Sequence, residues 1–200
     1  MSGKVKGIFF DRDGTINEDV GYISKLESFK LIAGIKPALR LLKDMGFKLF
    51  IATNQSGVGR GIISEEILET IHQKMFEEFR QDGIEFDGIK YCPHRPDDKC
   101  LCRKPQPKMI KDLARKCHID LKTSYFVGDK ISDVLTGKNA GCKTILLLSE
   151  EEEKVSLDEE DEEWPFPDFV TENISGAVEW ILKDSGALDD IKAQIGLKTG

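Results

Sequence analysis

Two aspartates at the end of a short apolar run are the first residues whose types and spacing could do chemistry. The run KVKGIFF ends directly at Asp11, and Asp13 follows two residues later in DRDGT. In an extended strand end, side chains two residues apart point the same way, into one pocket. Two carboxylates there repel unless a cation lies between them or one is protonated. An aspartate can also act as a nucleophile or move a proton.

Further polar clusters follow other apolar runs and could share this pocket. Thr53 and Asn54 begin TNQSG, and Asp129 and Asp133 lie in GDKISD. Carboxylate oxygens with few nitrogen ligands favour a hard cation such as Mg²⁺. Phosphoryl transfer needs such a cation, a cationic side chain and hydrogen-bond donors. Thr53 and Asn54 can donate and Lys104 can supply the positive charge. An acid favoured by a helix dipole is the alternative reading of Asp133.

The stretch CPHRPDDKCLCRKP holds a second candidate site. Cys92, His94, Cys100 and Cys102 form a Cys₃His set, which suits tetrahedral zinc. Protein ligands fill all four positions, so the predicted site is structural. We hypothesise that the metal fixes the backbone that aims Arg103 and Lys104 at the pocket. The chain has five cysteines, an odd number, so a fully paired disulfide framework is excluded. Cys117 and Cys142 are interpreted as ordinary buried thiols.

Length and composition indicate one globular domain outside the membrane. The 200 residues suffice for a sizeable core, and no run of about 18 apolar residues exists. The start has no signal-peptide pattern, so we expect a cytoplasmic chain. The net charge of −7 comes from residues 150–163, which hold ten acids and one lysine and are predicted to be a solvated loop. The rest carries 26 acidic against 28 basic residues, without a basic stripe, which argues against nucleic acid.

Strand-like runs alternate with helical spacing along the chain. KVKGIFF, KLFIATN, FDGIKYC, TSYFVGD and CKTILLLS predict five strands, with helices between and after them. The predicted fold class is α/β, a Rossmann-like parallel sheet with helices on both faces, no large cap domain and a short zinc-binding loop. Ligands bind at the carboxyl ends of strands in such sheets, where the polar clusters fall.

The helix in SEEILETIHQKMFEEFRQDG shows the expected signals most completely. Ser64 is a plausible N-cap, Gly83 closes the helix, and Ile67, Ile71, Met75 and Phe79 are predicted to lie on one face. His72 in this helix and His118 at the end of another are interpreted as surface or core residues rather than catalytic ones. Arg60 either contacts substrate or lies at a solvated loop tip.

Four stretches in order, FFDRDGTIN, ATNQSG, RKP and GDKISD, closely resemble the motifs of the haloacid dehalogenase-like phosphatases. The match runs from about residue 5 to residue 148. The resemblance implies a nucleophile at Asp11, a general acid/base at Asp13, and phosphate binding by Thr53 and Lys104. It also implies Mg²⁺ held by the Asp11 side chain, the Asp13 backbone carbonyl and Asp129. Asp133 would orient the metal's waters or Lys104.

The cysteine-rich loop resembles the zinc-loop subfamily of D,D-heptose 1,7-bisphosphate phosphatases and bacterial histidinol-phosphatases. The GY stretch and TNQSGVGRG resemble the heptose enzymes, whereas the short zinc loop resembles the histidinol-phosphatases. The resemblance implies cleavage of the 7-phosphate of a heptose bisphosphate, in heptose precursor synthesis, with histidinol phosphate as the alternative substrate. The implied substrate-binding residues are Asp19, Val20, Gly21, Tyr22, Thr53, Asn54, Gln55, Ser56, Arg103, Lys104 and Lys130.

One domain over residues 1–185, with a tail over 186–200, is the predicted organisation. It includes the zinc loop at 92–102 and the acidic loop at 150–163. Trp164 and Trp180 are expected to pack the C-terminal part onto the sheet. We expect a monomer that acts on a small phosphorylated metabolite. A non-catalytic, zinc-stabilised module that binds partners through the acidic run is the rival from another class; the full set of motif residues counts against it.

Overall fold

The computed structural model describes residues 5–148 and 166–189. Its strands are β1 (Gly7–Phe10), β2 (Lys48–Asn54), β3 (Gly88–Cys92), β4 (Tyr125–Gly128), β5 (Lys143–Leu147) and β6 (Phe169–Thr171). They form one parallel sheet in the order β3-β2-β1-β4-β5-β6. The predicted Rossmann-like α/β class is confirmed. The carboxyl ends of β1, β2 and β4 therefore lie side by side at one edge.

Helices cover both faces of the sheet. They are α1 (Ile35–Asp44), the single turn α2 (Ser56–Gly59), α3 (Glu65–Arg80), α4 (Lys108–Cys117), α5 (Ile131–Ala140) and α6 (Ile174–Asp184). The core on one face is built with α1, α3 and α6, and the core on the other with α4 and the end of α5. No large cap domain interrupts the sheet within the described ranges, as predicted.

The central strand β1 shows why both faces must be covered. All four of its residues are buried. Ile8 and Phe10 belong to the core beneath α1, α3 and α6, while Phe9 belongs to the opposite core and stacks on Phe50 with ring centroids 5.0 Å apart. Burying one such side chain contributes about 2 kcal/mol to folding. Asp11 follows this strand directly, so the site begins at the end of one of the best-packed elements.

Helix α3 confirms the predicted cap, and most of the residues predicted on one face are buried. The Oγ of Ser64 accepts a hydrogen bond from the backbone N–H of Ile67 at 3.3 Å, and Gly83 follows with a positive φ. Of the four residues predicted to share one face, Ile71, Met75 and Phe79 are buried, whereas Ile67 is 39% exposed and Leu68 is buried beside them. One residue turns a helix by about 100°, and Leu68, not Ile67, continues the stripe that contains Ile71.

Strand β6 was not predicted, because three residues are too few to show a period. Backbone bonding to β5 and the Asp168 carboxylate hold it: the N–H of Thr144 donates to Asp168 Oδ2 at 2.8 Å. Trp180 stacks on Phe169 of this strand at 5.3 Å, as expected for a residue that packs the C-terminal part onto the sheet. Trp164 and the acidic loop at 150–163 lie outside the described residues.

The remaining sequence-based expectations have mixed outcomes. Cys142 is buried as predicted, whereas Cys117 is only half-buried. Arg60 and His118 are exposed. Within the predicted tail, Leu188 packs against the core beside α6, and residues from 190 onward lie outside the described part. In the stretches that the structure describes, no helix has the length and apolar character needed to span a membrane.

Candidate active site at the carboxyl ends of the strands

A cavity of about 290 Å³ opens at the carboxyl edge of the sheet. It brings together most of the residues expected to bind substrate or act in catalysis. Among those expected residues, Val20 is 53% exposed and does not line the cavity, and Thr53 is buried below it. Asp129 lines an adjoining cavity of about 430 Å³. The predicted residues that line the 290 Å³ cavity are Asp11, Asp13, Asp19, Gly21, Tyr22, Asn54, Gln55, Ser56, Arg103, Lys104 and Lys130.

The Lys104 ammonium group lies between two buried carboxylates. Its Nζ is 2.7 Å from Oδ1 of Asp11 and 2.7 Å from Oδ1 of Asp133. Burial alone disfavours the charged amine, but the charges of Asp11 and Asp133 raise the pKa of Lys104 above its ordinary value. The lysine is therefore protonated near neutral pH. Asp133 lies at the start of α5, and its main partner is this ammonium group rather than solvent.

The backbone around Lys104 is fixed by the end of β2. The Lys104 N–H donates to Oδ1 of Asn54 at 3.0 Å, and Nδ2 of Asn54 donates back to the Lys104 carbonyl at 3.4 Å. Asn54 thus pairs with the N–H and the carbonyl of one residue, in the manner of a neighbouring strand. This amide contact sets the point from which the Lys104 side chain enters the site.

Asp11 and Asp129 have oxygens in the range that one metal ion can bridge. Together with Asp133, their carboxylates offer oxygens that all lie within 4.8 Å of one another. Burial and the neighbouring charge of Asp11 raise the pKa of Asp129 from 3.8 to about 7, although Lys130 opposes this. Lys104 is a single cation shared by Asp11 and Asp133, so these two acids and Asp129 together keep an excess of negative charge. Two close, part-buried carboxylates with oxygen donors fit Mg²⁺.

Gly14 leaves the space in which Asp129 sits. Its φ is +81°, and a Cβ atom at this position would collide with the Asp129 carboxylate. The hydroxyl of Thr15 lies 3.4 Å from Oδ1 of the same carboxylate. The DRDGT stretch thus contributes a backbone shape as well as its two acids.

The Asp13 carboxylate is held by three side chains on the inner side of the cavity. Arg12 contacts both of its oxygens through Nη2 at 2.9 Å and one of them through Nε at 3.1 Å. Nδ2 of Asn17 donates to Oδ1 at 2.9 Å, and Nε2 of Gln55 donates to Oδ2 at 2.8 Å. The carboxylate of Asp13 is therefore balanced by a guanidinium group without any metal ion.

The four predicted zinc ligands converge in the loop after β3. The Sγ atoms of Cys92, Cys100 and Cys102 lie 3.2–3.6 Å apart, and Nδ1 of His94 is 3.5 Å and 3.3 Å from the Sγ atoms of Cys92 and Cys102. A tetrahedron with Zn–S bonds of about 2.3 Å has edges of about 3.8 Å. The Sγ–Sγ distances are about 0.2–0.6 Å shorter than such edges, so the donors are gathered closely enough to fit a zinc ion.

One thiol of this cluster is prepared for deprotonation. Burial opposes the charge on Cys100, but the backbone N–H groups of Arg103 and Cys102 and the neighbouring thiols lower the Cys100 pKa to about 7. Burial and the Cys102 thiol raise the pKa of Cys92. Cysteine binds metal ions as the thiolate. A bound cation would balance the negative charge of thiolates packed this closely.

The zinc loop is also tied to the turn after β2. The Gln55 N–H donates to the Cys92 carbonyl at 2.7 Å, and the Gly59 N–H donates to the Pro93 carbonyl at 2.9 Å. Nη1 of Arg103 donates to the His94 carbonyl at 3.3 Å. These contacts join the zinc loop and α2 into one wall of the cavity, with Arg103 at its rim.

The opposite wall comes from the segment after β1. Lys130 contacts Oδ2 of Asp19 at 2.8 Å and Oδ2 of Asp129 at 3.6 Å. Although burial opposes it, these two acids raise the pKa of Lys130. The hydroxyl of Tyr22 lies 3.5 Å from the hydroxyl of Ser56, so the two walls meet there.

Four residues of the site were missed by sequence reasoning. Arg12 and His72 are buried behind Asp13, Asn17 holds the same carboxylate, and Ser132 lines the cavity. Arg12 lies inside DRDGT itself, yet a charged residue between two acids gives no signal that it will be buried. His72 carried only the signal of a histidine beside an apolar helix face, which fits core packing, and it is indeed buried.

Fold and site define the chain as a haloacid dehalogenase-like hydrolase. A family model described as HAD-hydrolase-like matches residues 101–177. The chain is 41% identical over 155 residues to a D-glycero-beta-D-manno-heptose-1,7-bisphosphate 7-phosphatase of Yersinia pestis, covering 74% of this chain and 82% of the relative. It is 44% identical over 144 residues to the enzyme of the same name from Helicobacter pylori, covering 72% and 83%. The chain belongs to this phosphatase family.

Solved structures agree with these relatives. The structure of D,D-heptose 1,7-bisphosphate phosphatase from B. bronchiseptica complexed with magnesium and phosphate has a TM-score of 0.80 and 33% identity, covering 90% of this chain and 99% of that one. The enzyme from Burkholderia thailandensis, at 24% identity and a TM-score of 0.65, shares the fold. The predicted phosphatase class is confirmed.

We expect Gly14→Ala to weaken Mg²⁺ binding and so lower activity at a fixed Mg²⁺ concentration, because its methyl group would displace the Asp129 carboxylate. Gly46→Ala is the matched control, since Gly46 has a φ of +82° and open space around it. Both changes should lower the free energy of unfolding by about 1 kcal/mol through backbone strain. Only Gly14→Ala should raise the Mg²⁺ concentration needed for half-maximal activity. Equal activity of the two variants would contradict this account of Gly14.

We expect Asp129→Asn to stabilise the protein in magnesium-free buffer at pH 8. The folded-state pKa of Asp129, about 7, lies above the ordinary 3.8, so the folded state binds this proton more tightly than the unfolded state. Wild-type stability therefore falls as pH rises from about 4 through 7, and the variant should gain on the order of 2 kcal/mol at pH 8 but nothing at pH 4. Urea unfolding checks this. Added Mg²⁺ should stabilise only the wild type.

Proposed function

We propose that the chain hydrolyses the 7-phosphate of D-glycero-β-D-manno-heptose 1,7-bisphosphate through an aspartyl-phosphate on Asp11. The carrying observation is the position of Asp11: it is 5% exposed, it sits at the end of β1, and its Oδ1 contacts the Lys104 ammonium group at 2.7 Å in a 290 Å³ cavity. The relatives at 41–44% identity carry the name of this activity, which supports the substrate and its anomer.

In the first step, Asp11 attacks the phosphorus atom of the 7-phosphate. The backbone N–H of Arg12 and Nζ of Lys104 both contact Oδ1, each at 2.7 Å, so we assign the attack to Oδ2. A bond forms from Oδ2 to phosphorus as the bond to the sugar oxygen breaks. Lys104 and the Thr53 hydroxyl balance the charge on the phosphoryl oxygens. Gln55 donates to the Oγ1 of Thr53 at 3.0 Å, which leaves the Thr53 hydroxyl proton free to donate.

Asp13 moves the proton in both halves of the reaction. It gives a proton to the departing sugar oxygen, and then takes one from the water that attacks the aspartyl-phosphate. Inorganic phosphate leaves, Asp11 returns to a carboxylate, and Asp13 is protonated again for the next cycle. Its carboxyl group borders the same cavity as Asp11, which supports this role.

Magnesium would be held by the carboxylates of Asp11 and Asp129 and the backbone carbonyl of Asp13. When bound, it neutralises charge on the phosphoryl oxygens. Asp133 fixes Lys104 through their 2.7 Å contact rather than binding the ion, which is one of the two roles that the motif resemblance implied for it. The B. bronchiseptica enzyme, a relative at 33% identity, was solved as a complex with magnesium and phosphate, which supports this assignment.

Substrate specificity is proposed to come from the rim of the cavity. Arg103 and Lys130 are the cations there besides Lys104, and a guanidinium suits a bidentate contact with a second phosphate. Asp19, Tyr22 and Ser56 offer oxygens suited to sugar hydroxyls. Histidinol phosphate has one phosphate and a positively charged amine, so it would leave Arg103 without an anionic partner.

The proposal also includes the compartment and the oligomeric state: the reaction takes place in the cytoplasm, and the chain acts as a monomer.

Zinc is proposed to have a structural role only: it would hold the loop that positions Arg103 and Lys104, and it would take no part in the chemistry. Its four ligands leave no place for water, and the loop it ties together carries Arg103 and Lys104 directly after Cys102. The contacts of Asn54 with Lys104 and of Arg103 with the His94 carbonyl then place both cations at the cavity.

We expect phosphate release from heptose 1,7-bisphosphate to exceed that from histidinol phosphate by tenfold or more in kcat/KM, about 1.4 kcal/mol of transition-state binding. The assay contains Mg²⁺, and Asp11→Asn serves as the blank. Arg103→Met should remove most of the difference by lowering kcat/KM for the bisphosphate. A preference for histidinol phosphate would contradict the substrate assignment while leaving the reaction class intact. No release above the blank from either would overturn the proposed activity.

We expect Cys102→Ser to lower both the zinc content and the activity, the latter by about tenfold or more, because the peptide leading to Lys104 loses its tie. Cys117→Ser, outside the cluster and half-buried, is the matched control. Metal analysis and kcat/KM are measured on the same preparations. A zinc-free Cys102→Ser protein with unchanged thermal stability and full turnover would show that the loop positions Lys104 without the metal.

A further inference from the structure

Arg12 is a fully buried cation that the proposed reaction leaves without a role. Its side chain is 1% exposed, and it does not line the cavity. A guanidinium group stays protonated in proteins, so its burial requires compensating partners. The partners that compensate Arg12 are residues at or directly behind the candidate active site.

The guanidinium group of Arg12 reaches three different side chains. Nε and Nη2 contact the Asp13 carboxylate at 2.9–3.1 Å, Nη2 contacts Oε1 of Gln55 at 3.1 Å, and Nη1 contacts Nε2 of His72 at 3.2 Å. With Asn17 and Gln55 as additional donors, the Asp13 carboxylate receives five contacts. These contacts come from three side chains, and together they fix the plane and position of the carboxylate that borders the cavity.

Arg12 also decides which way the Gln55 amide points. Because a guanidinium can only donate, the atom of Gln55 that faces Nη2 must be the carbonyl oxygen. The amide nitrogen is then directed at Oδ2 of Asp13 and Oγ1 of Thr53, at 2.8 Å and 3.0 Å. The buried Arg12 guanidinium thus fixes the orientation of Asp13, the proposed acid/base. Through Gln55 it also fixes Thr53, whose hydroxyl is proposed to donate a hydrogen bond to the phosphate.

His72 supports Arg12 from the far side. Since Nη1 can only donate, Nε2 of His72 must accept, which requires a neutral ring with its proton on Nδ1. Burial and the neighbouring guanidinium charge lower the pKa of His72 to about 3, so the ring stays neutral at the pH of any assay. The ring itself is held in helix α3 beside Tyr91, with centroids 5.8 Å apart.

We propose that Arg12 is a positioning residue for the proton transfer by Asp13, and that His72 holds Arg12 in place for it. The inference rests on the proposed function, since it assigns Arg12 to the step in which Asp13 protonates the leaving oxygen. A purely structural Arg12 would fill space and balance charge, and its loss would weaken turnover of every substrate alike. A positioning Arg12 matters in proportion to how much the leaving group needs a proton.

The test compares two phosphate monoesters that differ in this need. A sugar alkoxide is strongly basic and leaves only with a proton, whereas p-nitrophenolate leaves unaided. Arg12→Lys keeps the charge but loses the fork that contacts Asp13 and Gln55 together. The comparison uses kcat/KM, which reports the steps up to departure of the leaving group and excludes the later hydrolysis of the aspartyl-phosphate that both substrates share. We expect Arg12→Lys to lower kcat/KM for heptose 1,7-bisphosphate by about a hundredfold and kcat/KM for p-nitrophenyl phosphate by less than fivefold. Asp13→Asn is the reference and should show the same or a larger difference.

A matched pair at His72 tests the same chain of contacts without touching the buried ion pair. His72→Gln keeps an acceptor for Nη1 of Arg12, and His72→Leu has a similar size but no acceptor. We expect His72→Leu to lower kcat/KM for the sugar phosphate several-fold more than kcat/KM for the aryl phosphate. His72→Gln should restore most of the loss. Circular dichroism and thermal unfolding show that each variant is folded, and this pair still tests the positioning role if Arg12→Lys does not fold.

The outcomes separate this inference from the proposed function. An equal fall on both substrates, or none, in folded Arg12 and His72 variants would overturn the positioning role while Asp13→Asn still shows the leaving-group difference. If Asp13→Asn itself shows no such difference, the role proposed for Asp13 fails first, and that of Arg12 with it. If wild type does not hydrolyse the heptose bisphosphate, an alkyl phosphate that it does hydrolyse replaces it in the same comparison.

Discussion

The contact of one buried ammonium group with two carboxylates is the constraint on which the site depends. Nζ of Lys104 lies 2.7 Å from Asp11 at the end of β1 and from Asp133 at the start of α5. Removing one partner of such a buried arrangement leaves a charge without compensation, at a cost of about 3–5 kcal/mol. The three charges therefore need one another, and they join the sheet, a helix and the zinc loop at one point. The Asn54 amide and the sulfur cluster on either side serve to bring Lys104 there.

Charge is divided in the site so that only part of it calls for a metal ion. Asp13 is neutralised by Arg12, and Asp133 by Lys104. Asp11 shares the same lysine, and Asp129 has only the more distant Lys130 at 3.6 Å. The need for a cation is thus concentrated between Asp11 and Asp129. The four acids of the two motifs, Asp11, Asp13, Asp129 and Asp133, therefore form two ion pairs and leave one position suited to a metal ion.

Much of this arrangement could be predicted from the sequence, because it follows from strand ends. Apolar runs that stop at Asp11, Thr53 and Asp129 place those residues at one edge once the sheet is parallel. The Cys₃His spacing likewise indicates its own geometry. The features that could not be predicted depend on the directions and contacts of side chains in the loops that follow the strands. The burial of Arg12 is decided by Asp13, Gln55 and His72 together, from three separate segments, and no local pattern carries that information. Strand β6 is missed for a different reason, since its three residues show no period.

The zinc loop is fastened at both ends, and its middle is not. Cys92 ends β3 and is completely buried, while Cys100 and Cys102 close the cluster just before Arg103. Between them, the turn Pro96–Asp98 and the residues beside it are exposed. The proposed zinc would fix where the chain leaves the loop, so residues could be added or lost at this tip without moving Lys104. The exposed tip around Pro96–Asp98 could therefore differ in length among related sequences while the chemistry at Lys104 stays the same.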